Sequence, residues 1–490
     1  MLNRTRRAIA RRRPGWSDRN FILILAARTT MSGARALAGV ITPVYLALEG
    51  FTAERLGILL AVVAVSSALL STLIGVTSDR VGRKPFLVVV PLFAGLAGVA
   101  FAFDRTAWVL FLAAALGSFG RGSGASAGAV GPYQPAESAF VAESLPPQQR
   151  NSAFGQLSFC SSLGALGGGL LALLASEHHL HGAAATAAFR DAFLATAVLA
   201  VAAGLLALFL SEERRAAPDV AADPAGSGTG HGKTDRGGAT PEQVAAGAAT
   251  QERRGFAFPH RSRALLYRLW ATNSVNGFAV GMFGPFVSYW FFRRFDIGAG
   301  EIGTLFAVVN AATAASTLSA ARLARRWGLV STVTVVRFAQ GLLLVPMVLA
   351  PNLEVAGAIY LLRMVVQRIG LPLRQSYVLA MADPAERGAV TALSNLPSQL
   401  TMAGSPVLAG YLFDEVSLVL PFDLAAIFQA ANAGMFWAFF HNAPPEEERV
   451  TLTAAGGAPS AVPPRWHPSA TAPRNGRDPQ VRPSELGPPR

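Results

Sequence analysis

Gly75-x-x-x-Asp79-Arg80-x-Gly82-Arg83-Lys84-Pro85 packs charge and glycine into a break between two long apolar runs. Asp79 can pair with a neighbouring arginine or cap a helix, and the glycines permit a tight turn and close helix approach. The bland alternative, a basic loop beside a lipid surface, needs neither the acid nor the fixed glycines. Other ionisable groups lie inside apolar runs. Arg28, Ser32 and Arg35 fall on one face of a helix, as do Arg363, Gln367 and Arg374, with Arg368 pointing elsewhere. Arg121 sits in LGSFGRGSGA, Glu137 is the clearest acid in any such run, and Asn273, Asn276, Asn395 and Gln399 add neutral hydrogen-bonding groups.

Charge in apolar surroundings is costly, so it faces a water-filled cavity or is paired. The chemistry to expect is therefore solute binding and proton exchange. Arg28 is expected to line a cavity or to snorkel to the surface. Glu137 is a proton site or a structural partner of Arg374 or of an arginine in its own bundle. The amides are ligands or glue between helices. Several arginines against one carboxylate make a positive cavity, which favours an anionic or polyhydroxylated solute over an organic cation. Glu137 and Asp79 are the groups placed to carry a coupling proton.

The chain of 490 residues is 52% apolar and only 14% charged, against about 25% charged in a soluble domain. Mean hydropathy is +0.38. A bilayer-spanning helix needs about 20 mostly apolar residues. Twelve such spans are expected near 21–47, 56–76, 86–103, 107–143, 152–175, 190–210, 264–292, 302–321, 330–350, 355–381, 388–413 and 418–440. The fourth is overlong and should kink around Gly131, Pro132 and Pro135. Gly39 and Pro43 in the first span, and Gly277, Gly281, Gly284 and Pro285 in the seventh, are expected to supply bends. Residues 1–20 form a basic tail, 211–263 a flexible linker and 442–490 a Pro- and Arg-rich disordered tail.

The net charge of +13 is almost all arginine. It gathers in the tails and in alternate loops (Arg80, Arg83, Lys84, Arg150, Arg322, Arg325, Arg326, Arg387), which sets a membrane orientation with both termini cytoplasmic. Membrane insertion explains this basicity better than nucleic acid does. The two sets of six spans are also copies. GILLAVV at 57–63 matches GTLFAVV at 303–309, and the same register lays Arg80 on Arg326 and Gly82 on Gly328. Pro135, Val141, Pro147 and Arg150 fall in turn on Pro372, Val378, Pro384 and Arg387. Parallel repeats of this kind place a site between the halves near mid-bilayer.

With the Gly75–Lys84 loop between the second and third spans, the sequence resembles the major facilitator superfamily, over both halves at roughly 21–440. The resemblance implies an all-α membrane protein with twelve transmembrane helices in two pseudo-symmetric six-helix bundles, 21–210 and 264–441. It implies transport of a small solute by alternating access in the cell membrane, as a monomer, with the cavity between spans 1, 4, 7 and 10. Asp79, Arg80 and Arg83, flanked by Gly75, Gly82 and Lys84, would form a charge relay at the cytoplasmic gate. The second-half counterpart, ARLARRWG at 321–328, has Arg325 where the acid belongs. Arg121 resembles the family's fourth-helix arginine, and Gly164-x-x-Gly167-Gly168-Gly169 suits helix packing better than an antiporter motif, which would carry a proline. Export and uptake both remain open, as does a sensor or scaffold that kept the fold and lost transport.

No enzyme, cofactor or metal is expected. Cys160 is the single cysteine, so there is no internal disulfide or cysteine metal cage. GSGTGHGKT at 226–234 has Ser227 where a phosphate loop needs its first glycine. His178, His179 and His181 fit a solvated loop better than a metal site, and His260, Asp235 and Ser262 lack a surrounding nucleophile motif. The partners expected are a small-molecule substrate, a proton as candidate coupling ion, and the lipid bilayer, with no nucleic acid.

Overall fold

A computed structural model describes residues 19–120, 131–144, 147–175, 183–211, 259–316, 329–383, 386, 390 and 393–441. The described residues are nearly all helical. The first half comprises α1 (Arg19–Leu48), α2 (Ala53–Val81), α3 (Lys84–Phe103), α4 (Ala107–Gly117), α5 (Gln134–Ser144), α6 (Pro147–Leu171) and α7 (Ala183–Leu208). The second comprises α8 (Arg263–Phe283), α9 (Val287–Phe295), α10 (Ala299–Ser316), α11 (Leu329–Leu342), α12 (Leu344–Val348), α13 (Leu353–Met381), α14 (Leu396–Glu415) and α15 (Leu420–Phe440). The fourth, seventh and ninth spans are each split, as α4 with α5, α8 with α9 and α11 with α12, so twelve crossings are made from two sets of six. Six of the helical stretches are long and apolar enough by themselves to cross a bilayer. The tail 1–20, the linker 211–263 and the tail 442–490 fall almost wholly outside the described residues, as do Arg121, the loop 321–328, Arg387 and His178, His179 and His181.

Local sequence explains the helix ends. Thr52 caps α2, its hydroxyl accepting from the Arg55 N–H at 3.2 Å. Gly82 stops that helix in a positive-φ conformation (φ 98°), and Pro85 opens α3 at the first turn, where its missing N–H costs nothing. The fourth span is interrupted earlier in the chain than its prolines suggested. Ser118, Gly120 and Gly131 all have positive φ, so the interruption starts right after Gly117. In the seventh span a 3-10 turn over Gly284–Phe286 makes the bend. The helix runs unbroken through Gly277 and Gly281. They let α8 press on α14, where an added Cβ would meet the Ser398 carbonyl and the Ser405 hydroxyl.

From Met31 to Leu46, α1 is buried at every residue except Arg35, as befits a helix at the centre of a bundle. α2 and α3 instead expose Leu69, Leu73, Val76, Leu96 and Phe103. So large an apolar surface belongs against lipid. Within the halves, α1 packs on α6 as α8 packs on α14.

The two ends of the molecule differ. At the end holding Arg19, Ser211, Ser262 and His441 (the near end), each half has its own core among the described residues. One runs from Phe21 through Tyr133 and Leu157 to Leu210, the other from Leu269 through Tyr377 to Phe440. At the far end a single core crosses between the halves, joining Val44 and Phe193 to Trp290, Phe306 and Phe413. The main seams between the halves, α2 against α14 and α6 against α10, lie there. Each half is also fastened separately at the near end. Asn20 and Ser211 exchange two hydrogen bonds. Glu386 accepts from the His260, Arg261 and Ser262 N–H groups that open α8. Burial pushes the Glu386 carboxyl up, but these N–H groups with the Ser262 hydroxyl outweigh it and hold the group below its ordinary value.

Candidate functional site

Arg28 and Glu137 form a buried ion pair between α1 and α5. Arg28 therefore does not snorkel, and Glu137 takes an arginine of its own half instead of Arg374. Two ions left alone at this depth would each be strongly disfavoured, and their contact offsets that. Tyr133, also buried, lies one turn before Glu137, and both line a small pocket between α1, α3 and α7. One turn further along α1, the Ser32 and Ser161 hydroxyls meet at 2.7 Å. Arg35 continues the same face. Its guanidinium packs over Gly131, where a Cβ would come within 2.5 Å of Nη1, and it lines a second small pocket beside the break at Gly117–Gly120.

In the second half Arg374 donates to Asn273 Oδ1 at 3.0 Å and to Asn395 Oδ1 at 3.1 Å. Asn273 in turn donates to the Ser394 carbonyl at 2.7 Å. This ties α13 to α8 and α14 through neutral partners, and among the described residues no carboxylate pairs with the arginine. Asn276, Gln367 and Arg368 are half-buried nearby in sequence. Arg363, expected with them at the cavity, lies instead at 0% exposure inside the second half, its guanidinium 4.0 Å over the Phe283 ring.

In the Gly75–Lys84 motif, Gly75 lies within ordinary contact of Pro135, which places α2 beside α5. Gly82 makes the turn described above. The side chains of Asp79 and Arg80 lie outside the described residues, so the relay is not on view.

Several groups escaped the sequence analysis. Asp414, near the end of α14, accepts from the Ala53 and Glu54 N–H groups at 3.0 and 2.7 Å, so an acid of one half caps a helix of the other. Ser288 donates to the Gly39 carbonyl at 3.1 Å, again between halves. Arg337, Gln429 and Asn432 are buried in the second half. Arg337 carried the same signal as Arg363, a charge inside an apolar run.

The sequence model of the Major Facilitator Superfamily matches residues 23–366 and 269–473. Tetracycline resistance protein, class E, of Escherichia coli is 31% identical over 140 residues, 27% of this chain and 31% of that protein. Quinolone resistance protein NorA of Staphylococcus aureus is 29% identical over 140 residues, 28% of this chain and 34% of that protein. The matches thus span about a third of these relatives' length. Among solved structures, the inward-open xylose transporter XylE from E. coli has a TM-score of 0.61 at 15% identity, covering 88% of this chain and 99% of that one. A bacterial homologue of the human lysosomal transporter Spinster, inward-facing and unoccupied, has a TM-score of 0.58 at 14% identity, covering 85% of this chain and 94% of that one. At such identities these two speak for the fold. With the family match running through both halves, the chain belongs to the Major Facilitator Superfamily of integral membrane transporters.

Proposed function

We propose that this chain moves a small, drug-like solute out of the cell by alternating access, driven by protons, with both termini cytoplasmic. The observation that carries the reading is the difference between the ends: one apolar core joins the halves at the far end, while each half keeps its own core at the near end. Arginine and lysine concentrate in the near-end loops, so the near end is cytoplasmic and the state is inward-facing. Rocking of the halves about the seams then opens the far end.

Coupling falls to Arg28 and Glu137. A proton on Glu137 removes the charge that holds Arg28, and an unpaired buried arginine is costly, so protonation and rearrangement of the first half go together. The solute meets Arg35, Arg374 and the amides of Asn273, Asn276 and Gln367. This set suits anionic or polyhydroxylated groups. The names of the tetracycline and quinolone resistance relatives support export of drug-like compounds.

The test is flux in proteoliposomes with an imposed pH gradient, using tetracyclines, fluoroquinolones, sugars, organic anions and organic cations. Uphill movement of at least one anionic or hydroxylated compound, lost in Glu137→Gln, is expected. A folded protein that moves none of the panel, or only organic cations, overturns the proposal.

A further inference from the structure

Inside the second half, where α11, α13 and α15 meet, two arginines are buried with no acid partner among the described residues. Arg363 is 0% exposed; its Nε donates to the Gln340 carbonyl at 3.0 Å, and its Nη2 is buried with no hydrogen-bond partner. One turn before Gln340, Arg337 is 5% exposed, donates to Asn432 Oδ1 and stacks 4.7 Å over the Phe436 ring. Gln429 and Asn432, one turn apart on α15, are both 0% exposed. The Asn432 Nδ2 and both polar atoms of the Gln429 amide lack a hydrogen-bond partner. Gln429 is placed beside the Gln340–Gly341 turn, since a Cβ on Gly341 would come within 2.7 Å of the Gln429 Cβ.

Buried charge is ordinarily paired, and buried donors are ordinarily satisfied. The rings of Phe283 and Phe436 offset part of the cost of the two cations. They satisfy none of the three unpartnered N–H groups. Among the described residues, neither arginine meets a carboxylate within ion-pair distance. The one unpartnered acceptor, the Gln429 oxygen, belongs to an amide that can turn to present its nitrogen. Arg337 on Asn432, Gln429 beside Gln340–Gly341 and Arg363 on the Gln340 carbonyl are neighbours along one run of contacts; two positive charges and three spare donors in that run call for negative charge, and a monatomic ion is the smallest ligand that supplies it.

We propose that Arg337, Arg363, Gln429 and Asn432 form a closed site for one small inorganic anion of halide size, within the second half and apart from the transport path. The site stands whether or not the chain exports drug-like solutes. Its ion neutralises the arginines and fixes α11 and α15 against α13.

The full chain in nanodiscs is dialysed against radiolabelled chloride, and its thermal unfolding is followed in sodium chloride and sodium gluconate at one ionic strength. One saturable chloride per chain, displaced by bromide, and a higher Tm in chloride are expected. Gln429→Leu, which keeps bulk and changes no charge, should weaken chloride binding at least tenfold, and Arg363→Met should do the same. If Arg363→Met fails to fold, Gln429→Leu carries the test. Equal Tm in both salts with no saturable chloride overturns the site. So does chloride binding that is lost in Arg374→Gln and kept in Gln429→Leu, since the ion would then sit in the transport cavity.

Discussion

Gly57 and Gly303 occupy the same position in the two copies of the repeat, and each meets the opposite half in the same way. A Cβ on Gly57 would come within 2.3 Å of the Pro406 carbonyl oxygen, and a Cβ on Gly303 within 2.3 Å of the Gly169 carbonyl oxygen. The contacts are reciprocal, because Gly410 faces the Ala53 carbonyl and Gly169 faces the Gly303 carbonyl. Backbone meets backbone at both points, so the helices of the two halves approach there as closely as their main chains allow. The glycine that opens GILLAVV and GTLFAVV has been kept in both copies at the point where the halves touch.

A side chain at either glycine should wedge the far end apart. Overpacking a tight contact costs about 1–3 kcal/mol, so Gly57→Leu and Gly303→Leu should each raise the outward-open population about tenfold or more. In a background with Cys160→Ala, a cysteine placed at Val44, buried in the far-end core, would report it through faster labelling by an impermeant maleimide. Unchanged labelling in both variants would show that the seams do not govern closure.

The spans, the duplication and the repeated glycine were legible in the sequence because each is a pattern along the chain. Pairings across the fold were not. Arg28 and Glu137 lie 109 residues apart, and nothing along the chain distinguishes Arg28 from Arg374 as the partner. Helical periodicity put Arg363 on one face with Gln367 and Arg374. It says which residues share a face, not whether that face turns to the central cavity or into its own bundle. Gly277 and Gly281 illustrate a related limit. A glycine that bends a helix and one that admits a neighbouring helix look alike until the neighbour, here α14, is in place.

Ser288 and Gly39 make a polar contact that depends on proline chemistry. Pro43 has no N–H to offer the carbonyl four residues back, so the Gly39 oxygen is left for the Ser288 hydroxyl. Losing that bond should cost about 1 kcal/mol. Ser288→Ala should therefore shift the chain toward the outward-open state severalfold. In a Pro43→Ala background residue 43 regains its donor, and the effect of Ser288→Ala should fall by half or more. A double-mutant cycle on far-end accessibility measures this, and additive effects would refute the coupling.

Asp414 offers a test of closure that involves no packing change. Its carboxylate holds the first turn of α2 from the other half. Removing a helix cap typically costs about 1 kcal/mol. Asp414→Ala should open the far end about fivefold, and Asp414→Asn, which keeps one acceptor oxygen, should do so less. Labelling rates at a far-end cysteine rank the three proteins.

Glu386 ties the start of α8 to the loop after α13, and its carboxyl is held below the ordinary value. A lowered carboxyl contributes stability that is present above its unfolded value of about 4.3 and is lost as pH falls through the lower folded value. Glu386→Ala should thus lower Tm at pH 7. The gap to the unmodified chain should close as pH drops below about 4. A gap that stays constant with pH would mean the charge is not what holds the three N–H groups.

Arg28 and Glu137 separate stability from coupling. Glu137→Gln leaves Arg28 buried beside a neutral amide, and breaking a buried pair from one side costs about 3–5 kcal/mol. Glu137→Gln should lower Tm markedly and abolish proton-driven movement. The double variant Arg28→Met, Glu137→Leu replaces both charges with apolar groups of similar bulk, a change that is often neutral or stabilising. Its Tm should return close to that of the unmodified chain while uphill transport stays absent and downhill exchange of solute persists. If uphill transport returned with stability, the pair would be a structural brace and the coupling proton would have to bind elsewhere, with Asp79 the next group to substitute.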